Sequence, residues 1–193
     1  MFETIIFIDG GFVSKISNYF GDGKYLRYDL ISFAENICLK ENLLYKQIFY
    51  YTALPFQSEF PTETEEKKKE GYDKFIKQLK KRGVIVREGR CQRLKIDGKF
   101  EYSQKAVDIL LAMDIMSVPL KYLEVRRIIL LSTDSDFVPL IESLKEKGIK
   151  TILYTYYKKQ RGVIFARSNY LIKSVHKYKL LTKKDFEDCP LEK

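Results

Sequence analysis

The chain has 193 residues, 45% of them hydrophobic and 14% aromatic, a composition that excludes a disordered polymer and allows one well-cored domain. No apolar stretch approaches the ~20 residues needed to span a bilayer, and the opening MFETIIFIDGG lacks a basic leader region and reads as a first strand. The formal net charge of +9, from 35 Lys and Arg against 26 Asp and Glu, favours a polyanionic partner, nucleic acid before a membrane surface.

In chain order, Thr4 to Ile8 is a short apolar run suited to a buried strand. Leu30, Phe33, Ala34, Ile37 and Cys38 recur at helical spacing, and Tyr45 to Leu54 is again strand-like. Glu63 to Arg82 predicts a charged helix whose apolar stripe is Tyr72, Phe75, Ile76 and Leu79. Gly83 ends it, and Val84 to Val86 begins the next strand. Asp97-Gly98 within LKIDGKFEY is a type I′ hairpin signal. A helix over Gln104–Ile115, a strand over Val125–Leu131, a helix over Phe137–Lys147 and a strand over Ile149–Tyr154 complete the pattern. Such alternation implies βαβ units: an α/β fold, one domain, with a central mainly parallel sheet and helices on both faces. The domain is expected over residues 1–183, followed by a short tail over 184–193.

In open sheets of this kind, ligands bind outside the carboxyl ends of the strands. Asp9 follows the run Ile5 to Ile8, Asp134 and Asp136 follow Ile128 to Leu131, and Asp108 lies near the start of a helix. Each acid alone reads as a helix cap or a surface carboxylate; Ser135 or Asp136, for instance, suits the cap of the helix from Phe137. Together they are harder to dismiss, because like charges at one rim repel and are costly to desolvate. A divalent cation relieves that cost, and oxygen-only ligands suit Mg²⁺ or Mn²⁺, ions that activate water and stabilise phosphoryl transition states. Asp114, about 240° around the helix from Asp108, does not share its face. The single histidine, His176, reads as structural, and Cys38, Cys91 and Cys189 have no metal-ligand spacing and suit a reducing, cytoplasmic setting.

Three blocks, FIDGG (residues 7–11), KAVDILLAMDIM (105–116) and LLSTDSDFVPLIESLKEKGIK (130–150), carry a resemblance. The chain resembles the NYN domain, LabA-like branch, of the PIN-like nuclease superfamily, whose usual forms are IDGxN, KGVDV and SGDSDFxP. The likeness covers roughly residues 3 to 175. It implies a PIN-like three-layer sandwich and a metal-dependent ribonuclease that hydrolyses RNA phosphodiester bonds at an acidic Mg²⁺ or Mn²⁺ site. Carried over by position, Asp9, Asp108, Asp134 and Asp136 become the catalytic and metal-site acids. Ser132 supports the pocket or a phosphate, and Lys105 neutralises phosphate. The departures are Phe12 in place of Asn, Ala106 in place of Gly (expected as a mild change within a helix) and Thr133 in place of Gly. Phe12 motivates the alternative of an RNA-binding or regulatory module with weak or no hydrolysis. A third reading, a nucleotide-sugar transferase using Asp134-Ser135-Asp136, leaves Asp9 and Asp108 unexplained.

From Lys145 to Lys184 there are twelve Lys or Arg residues and one acid, Glu146, interleaved with aromatics. Cations that track phosphates beside faces that stack bases are what single-stranded nucleic acid requires. Lys158, Lys159, Arg161 and Arg167 are the expected substrate contacts, and Tyr154, Phe165 and Tyr170 the expected core members. Arg87, Arg90, Arg93 and Lys95 form a second basic group flanking the hairpin. The expected partner is RNA, single-stranded or structured, with DNA as the alternative; no membrane is expected, and a homo-oligomer is left open beside the monomer.

Overall fold

The computed structural model describes residues 2–158 and 165–191. Seven strands form one sheet in the order β4-β3-β2-β1-β5-β6-β7, parallel except for β3 with β4. The strands are β1 (Phe2–Asp9), β2 (Leu43–Ala53), β3 (Ile85–Ile96), β4 (Lys99–Lys105), β5 (Arg127–Leu131), β6 (Lys150–Thr155) and β7 (Lys177–Leu180). The helices are α1 (Gly10–Phe20), α2 (Leu30–Lys40), α3 (Glu63–Lys81), α4 (Val107–Lys121), α5 (Val138–Glu146), α6 (Asn169–Ser174) and α7 (Lys183–Glu187).

Strand β1 lies at the centre and is covered on both sides, which is why Thr4 to Ile8 is an uninterrupted apolar run with each residue fully buried. Alternate residues feed two cores. Ile6 and Ile8 meet Val13 and Ile16 of α1, Phe33 and Ile37 of α2, and Ile76 and Leu79 of α3. Ile5 and Phe7 meet Leu111 and Ile115 of α4 and Ile141 and Leu144 of α5. The result is the expected three-layer α/β arrangement in a single unit.

The chain builds outward from β1 through β2 to β3 and then returns to place β5 on β1's other side. Where the strand order reverses, the connections leaving neighbouring strand ends diverge and open a crevice. The carboxyl ends of β1 and β5 flank that point, with Ile8 level with Leu131.

Several boundaries differ from expectation. Helix α1 was not anticipated, because Gly10 and Gly11 open it and mask the stripe of Phe12, Val13 and Ile16. Residues Gln104 and Lys105 finish strand β4 rather than starting α4, which runs on to Lys121. Between them stands Ala106 at φ 68°, so the expected mild helical substitution is instead an alanine in the left-handed region. The segment expected as a tail carries α7, puts Phe186 and Cys189 in the core, and lets the Asp29 amide donate to the Cys189 carbonyl. Tyr170, expected in the core, is 65% exposed, whereas Tyr154 and Phe165 are buried. No helix among the described residues is long and apolar enough to cross a membrane.

Candidate nuclease cleft

A cleft of about 820 Å³ opens at the switch point between β1 and β5. Its walls bring together Asp9, Asp108, Asp134, Lys15, Thr133 and Gln104, from β1, α4, the loop after β5, α1 and β4. Three of the four expected acids therefore share one cavity.

Asp9 ends β1 and caps α1: its Oδ1 accepts the Phe12 amide at 3.0 Å. Its Oδ2 lies 3.4 Å from the hydroxyl of Ser132, which donates across from β5. The same Ser132 oxygen accepts the Asp134 amide at 3.1 Å, and Asp134 in turn caps the short 3-10 turn Ser135–Phe137, its Oδ1 accepting the Asp136 amide at 2.9 Å. Neither Ser135 nor Asp136 caps the following helix, as sequence suggested: α5 starts directly from the 3-10 turn with Phe137 at its N-cap and no side-chain cap bond, and the turn itself is capped by Asp134. Fully buried, Ser132 ties the two acidic strand ends together. Capping and a cleft role coexist here, since each cap uses one carboxylate oxygen of two.

The electrostatics of the cleft disfavour the charged carboxylates, burial first. Burial raises the Asp9 carboxyl above its ordinary value, the charge of Asp108 adds to this, and the Phe12 and Gly11 amides and the Lys15 ammonium oppose it. Asp108, in the first turn of α4, is raised by partial burial and then by the charges of Asp134 and Asp136. The donor set is oxygen-only and the carboxylates repel one another, which fits a hard divalent cation in chemistry and charge. Among the described residues, no three acid, histidine or cysteine groups are already drawn into a preformed cluster.

Asp136 is exposed on its turn, outside the lining, and reaches the cleft only through its field at Asp108. Lys105 is an exposed residue at the end of β4, also outside the lining. Among the described residues the cation in the cleft wall is instead Lys15, on the second turn of α1, whose charge both Asp9 and Asp108 feel. Sequence reading passed over it with the helix that carries it; the spacing Phe12, Val13, Ile16 was the available signal, and it puts Ser14 and Lys15 on the outer face. Lys158 stacks its ammonium 4.5 Å from the Tyr19 ring, beside a side groove that shares Ser14, Lys15 and Phe165 with the cleft. Arg167 lies over Tyr157 at 5.1 Å, away from the lining. Lys159 and Arg161 fall outside the described residues.

Phe12 sits in the core, 4% exposed, and offers Asp9 its backbone amide alone. A carboxamide reaches the place from another element: a methyl on Gly11 would lie 3.1 Å from Gln104 Oε1 and 3.2 Å from Asp9 Oδ1, so β4 lays Gln104 over Gly11 beside the acid. At Gly10 the same construction meets the Tyr51 carbonyl and the Tyr50 hydroxyl at 2.6 Å, so glycine is what lets α1 start against β2. Asp114 is spent elsewhere. It is buried and accepts two bonds from Arg87, at 2.8 and 3.0 Å, and one from the Tyr51 hydroxyl at 3.0 Å.

A family model for the NYN domain matches residues 3–175. The chain belongs to the NYN domain family. The sheet and helices described above are thus the PIN-like arrangement of an NYN domain, within the nuclease superfamily to which that family belongs. The crystal structure of a protein of unknown function from Vibrio parahaemolyticus superposes with a TM-score of 0.62 at 16% identity, covering 95% of this chain and 94% of that one. At that identity the likeness speaks for the NYN fold alone. Comparison with curated proteins gives no match.

Proposed function

We propose that this NYN domain is a Mg²⁺- or Mn²⁺-dependent ribonuclease that hydrolyses RNA phosphodiester bonds in the switch-point cleft. The observation that carries the reading is the convergence of Asp9, Asp108 and Asp134 on one cavity, where burial and neighbouring carboxylates disfavour the charged forms of Asp9 and Asp108. These three would hold the cation, with Asp136 contributing its field from the rim. When bound, such an ion lowers the pKa of a coordinated water and neutralises charge developing on the phosphoryl oxygens. The chain's own part is orientation. Ser132 and the two helix caps fix the Asp9 and Asp134 carboxylates, and Lys15 presents a positive charge to the scissile phosphate. The spelling of the three motif blocks supports a place in the LabA-like branch.

A second reading, RNA binding without hydrolysis, draws on Phe12, which contributes packing where a polar side chain would serve the cation. One assay separates the two. Labelled RNA is incubated with Mn²⁺, with Mg²⁺ and with a chelator, beside the Asp134→Asn variant. The nuclease reading expects metal-dependent products that fall by at least about a hundredfold in the variant, the scale of losing a group that acts in the transition state. Salt-sensitive binding with no cleavage in either metal selects the second reading.

A further inference from the structure

Strand β3 has two halves. Ile85–Gly89 pairs with β2, which ends at Ala53; Arg90–Ile96 pairs only with β4. Residues 90–105 therefore project as a two-stranded ribbon past the carboxyl end of β2, on the side where the cleft opens. A bare two-stranded ribbon is marginal in water. This one is braced by a stack along it, with the Arg93 guanidinium 4.4 Å from the Phe56 ring centre and 4.6 Å from that of Phe100, and Phe56 edge-on to Tyr102 at 5.7 Å.

Cross-strand pairing puts Cys91 opposite Gln104, Arg93 opposite Tyr102 and Lys95 opposite Phe100, all on one face. Along β4 that face reads Phe100, Tyr102, Gln104 at intervals of about 7 Å. Its inner end, Tyr102 and Gln104, lines the cleft with Asp9. Both aromatics on it stay open to solvent, Phe100 55% and Tyr102 57% exposed. The ribbon holds five basic residues against two acidic ones, Asp97 and Glu101. Two such ribbons repel each other; a polyanion is attracted. Exposed aromatic faces set among cations bind unpaired bases, since every base has a face to stack and its phosphates meet the charge.

We propose that the β3–β4 hairpin is a single-strand arm of the cleft: unpaired bases stack on Phe100 and Tyr102, Lys95 meets the phosphates, and Gln104 leads the strand to Asp9. The proposal rests on the reading of the cleft as a nucleic-acid site and adds how the substrate is held and in what form.

The test is fluorescence anisotropy in chelator, so that nothing is cut, with a short labelled single-stranded RNA and with its duplex. Phe100→Ala and Tyr102→Ala are each expected to weaken single-strand binding about tenfold. Tyr102→Phe keeps the ring and should bind as the unmodified protein does, and Lys95→Glu should weaken binding and flatten its salt dependence. Duplex affinity should respond to Lys95→Glu but not to the aromatic truncations. Unchanged single-strand affinity in both alanine variants overturns the arm, as does a dimer in sedimentation that these variants dissolve, which would make the ribbon an interface between two copies. If metal-dependent cleavage persists in that case, the nuclease reading stands without the arm. Ring-dependent binding with no cleavage keeps the arm and removes hydrolysis.

Discussion

At Asp9 one carboxylate oxygen closes the cap of α1 while the other faces Ser132 and the cleft, so folding and chemistry draw on different atoms of one side chain. Asp134, after β5, likewise gives one oxygen to a cap while lining the cleft. Both acids were legible in sequence because an Asp at or just past the end of a buried strand has few other uses than cap or ligand. Ala106 was not legible in the same way. The periodicity of KAVDILLAMDIM runs back to Lys105, and nothing in it marks the left-handed φ of 68° that the chain adopts between β4 and α4. An alanine there carries about 1–2 kcal/mol of strain, partly offset by the extra freedom a glycine has when unfolded. Ala106→Gly should therefore raise stability by about 0.5–1 kcal/mol in urea denaturation, with the cleft's acids undisturbed.

Among elements, α7 shows a segment held by charge as well as by Phe186. Asp185 accepts from Lys40 Nζ of α2 at 2.5 Å and from the Thr182 amide and hydroxyl at 2.6 and 2.7 Å. Burial pulls its pKa upward, but these bonds outweigh burial and hold the carboxyl below the usual range. The folded state thus binds this proton less readily than the unfolded chain. Its contribution is full above the unfolded value of about 3.9 and fades as pH falls through the lower folded value. Asp185→Ala should cost about 1–2 kcal/mol at neutral pH, the scale of a lost cap, and the gap to the unmodified protein should narrow in acid denaturation below about pH 4. In sequence this region reads as a tail because KDFEDCPLEK is mostly charged, and one Phe and one Cys are too few to show a period. The hairpin was the opposite case: Asp97-Gly98 announced it, and both turn residues sit at positive φ as a type I′ turn requires.

Over the whole molecule, the fold follows from strand runs buried on both faces and helices with one apolar stripe, so the α/β class and the three layers were open to reading. What sequence could not supply was the strand order, and with it the switch point that places β1 beside β5. That order decides which acids meet. It brings Asp9, Asp108 and Asp134 to one cleft and leaves Asp114 with Arg87 and Tyr51. It also sets an acidic cleft in a chain of net charge +9, the setting in which the proposed cation would let a polyanion approach the carboxylates. The most direct measurement of this account is Mn²⁺ binding followed by electron paramagnetic resonance on the intact chain and on Asp9→Asn, Asp108→Asn and Asp114→Asn. Mn²⁺ binding should weaken by at least about tenfold, the lower end for disturbing a metal's surroundings, in Asp9→Asn and in Asp108→Asn, and survive in folded Asp114→Asn. Equal Mn²⁺ binding in all four proteins would contradict it.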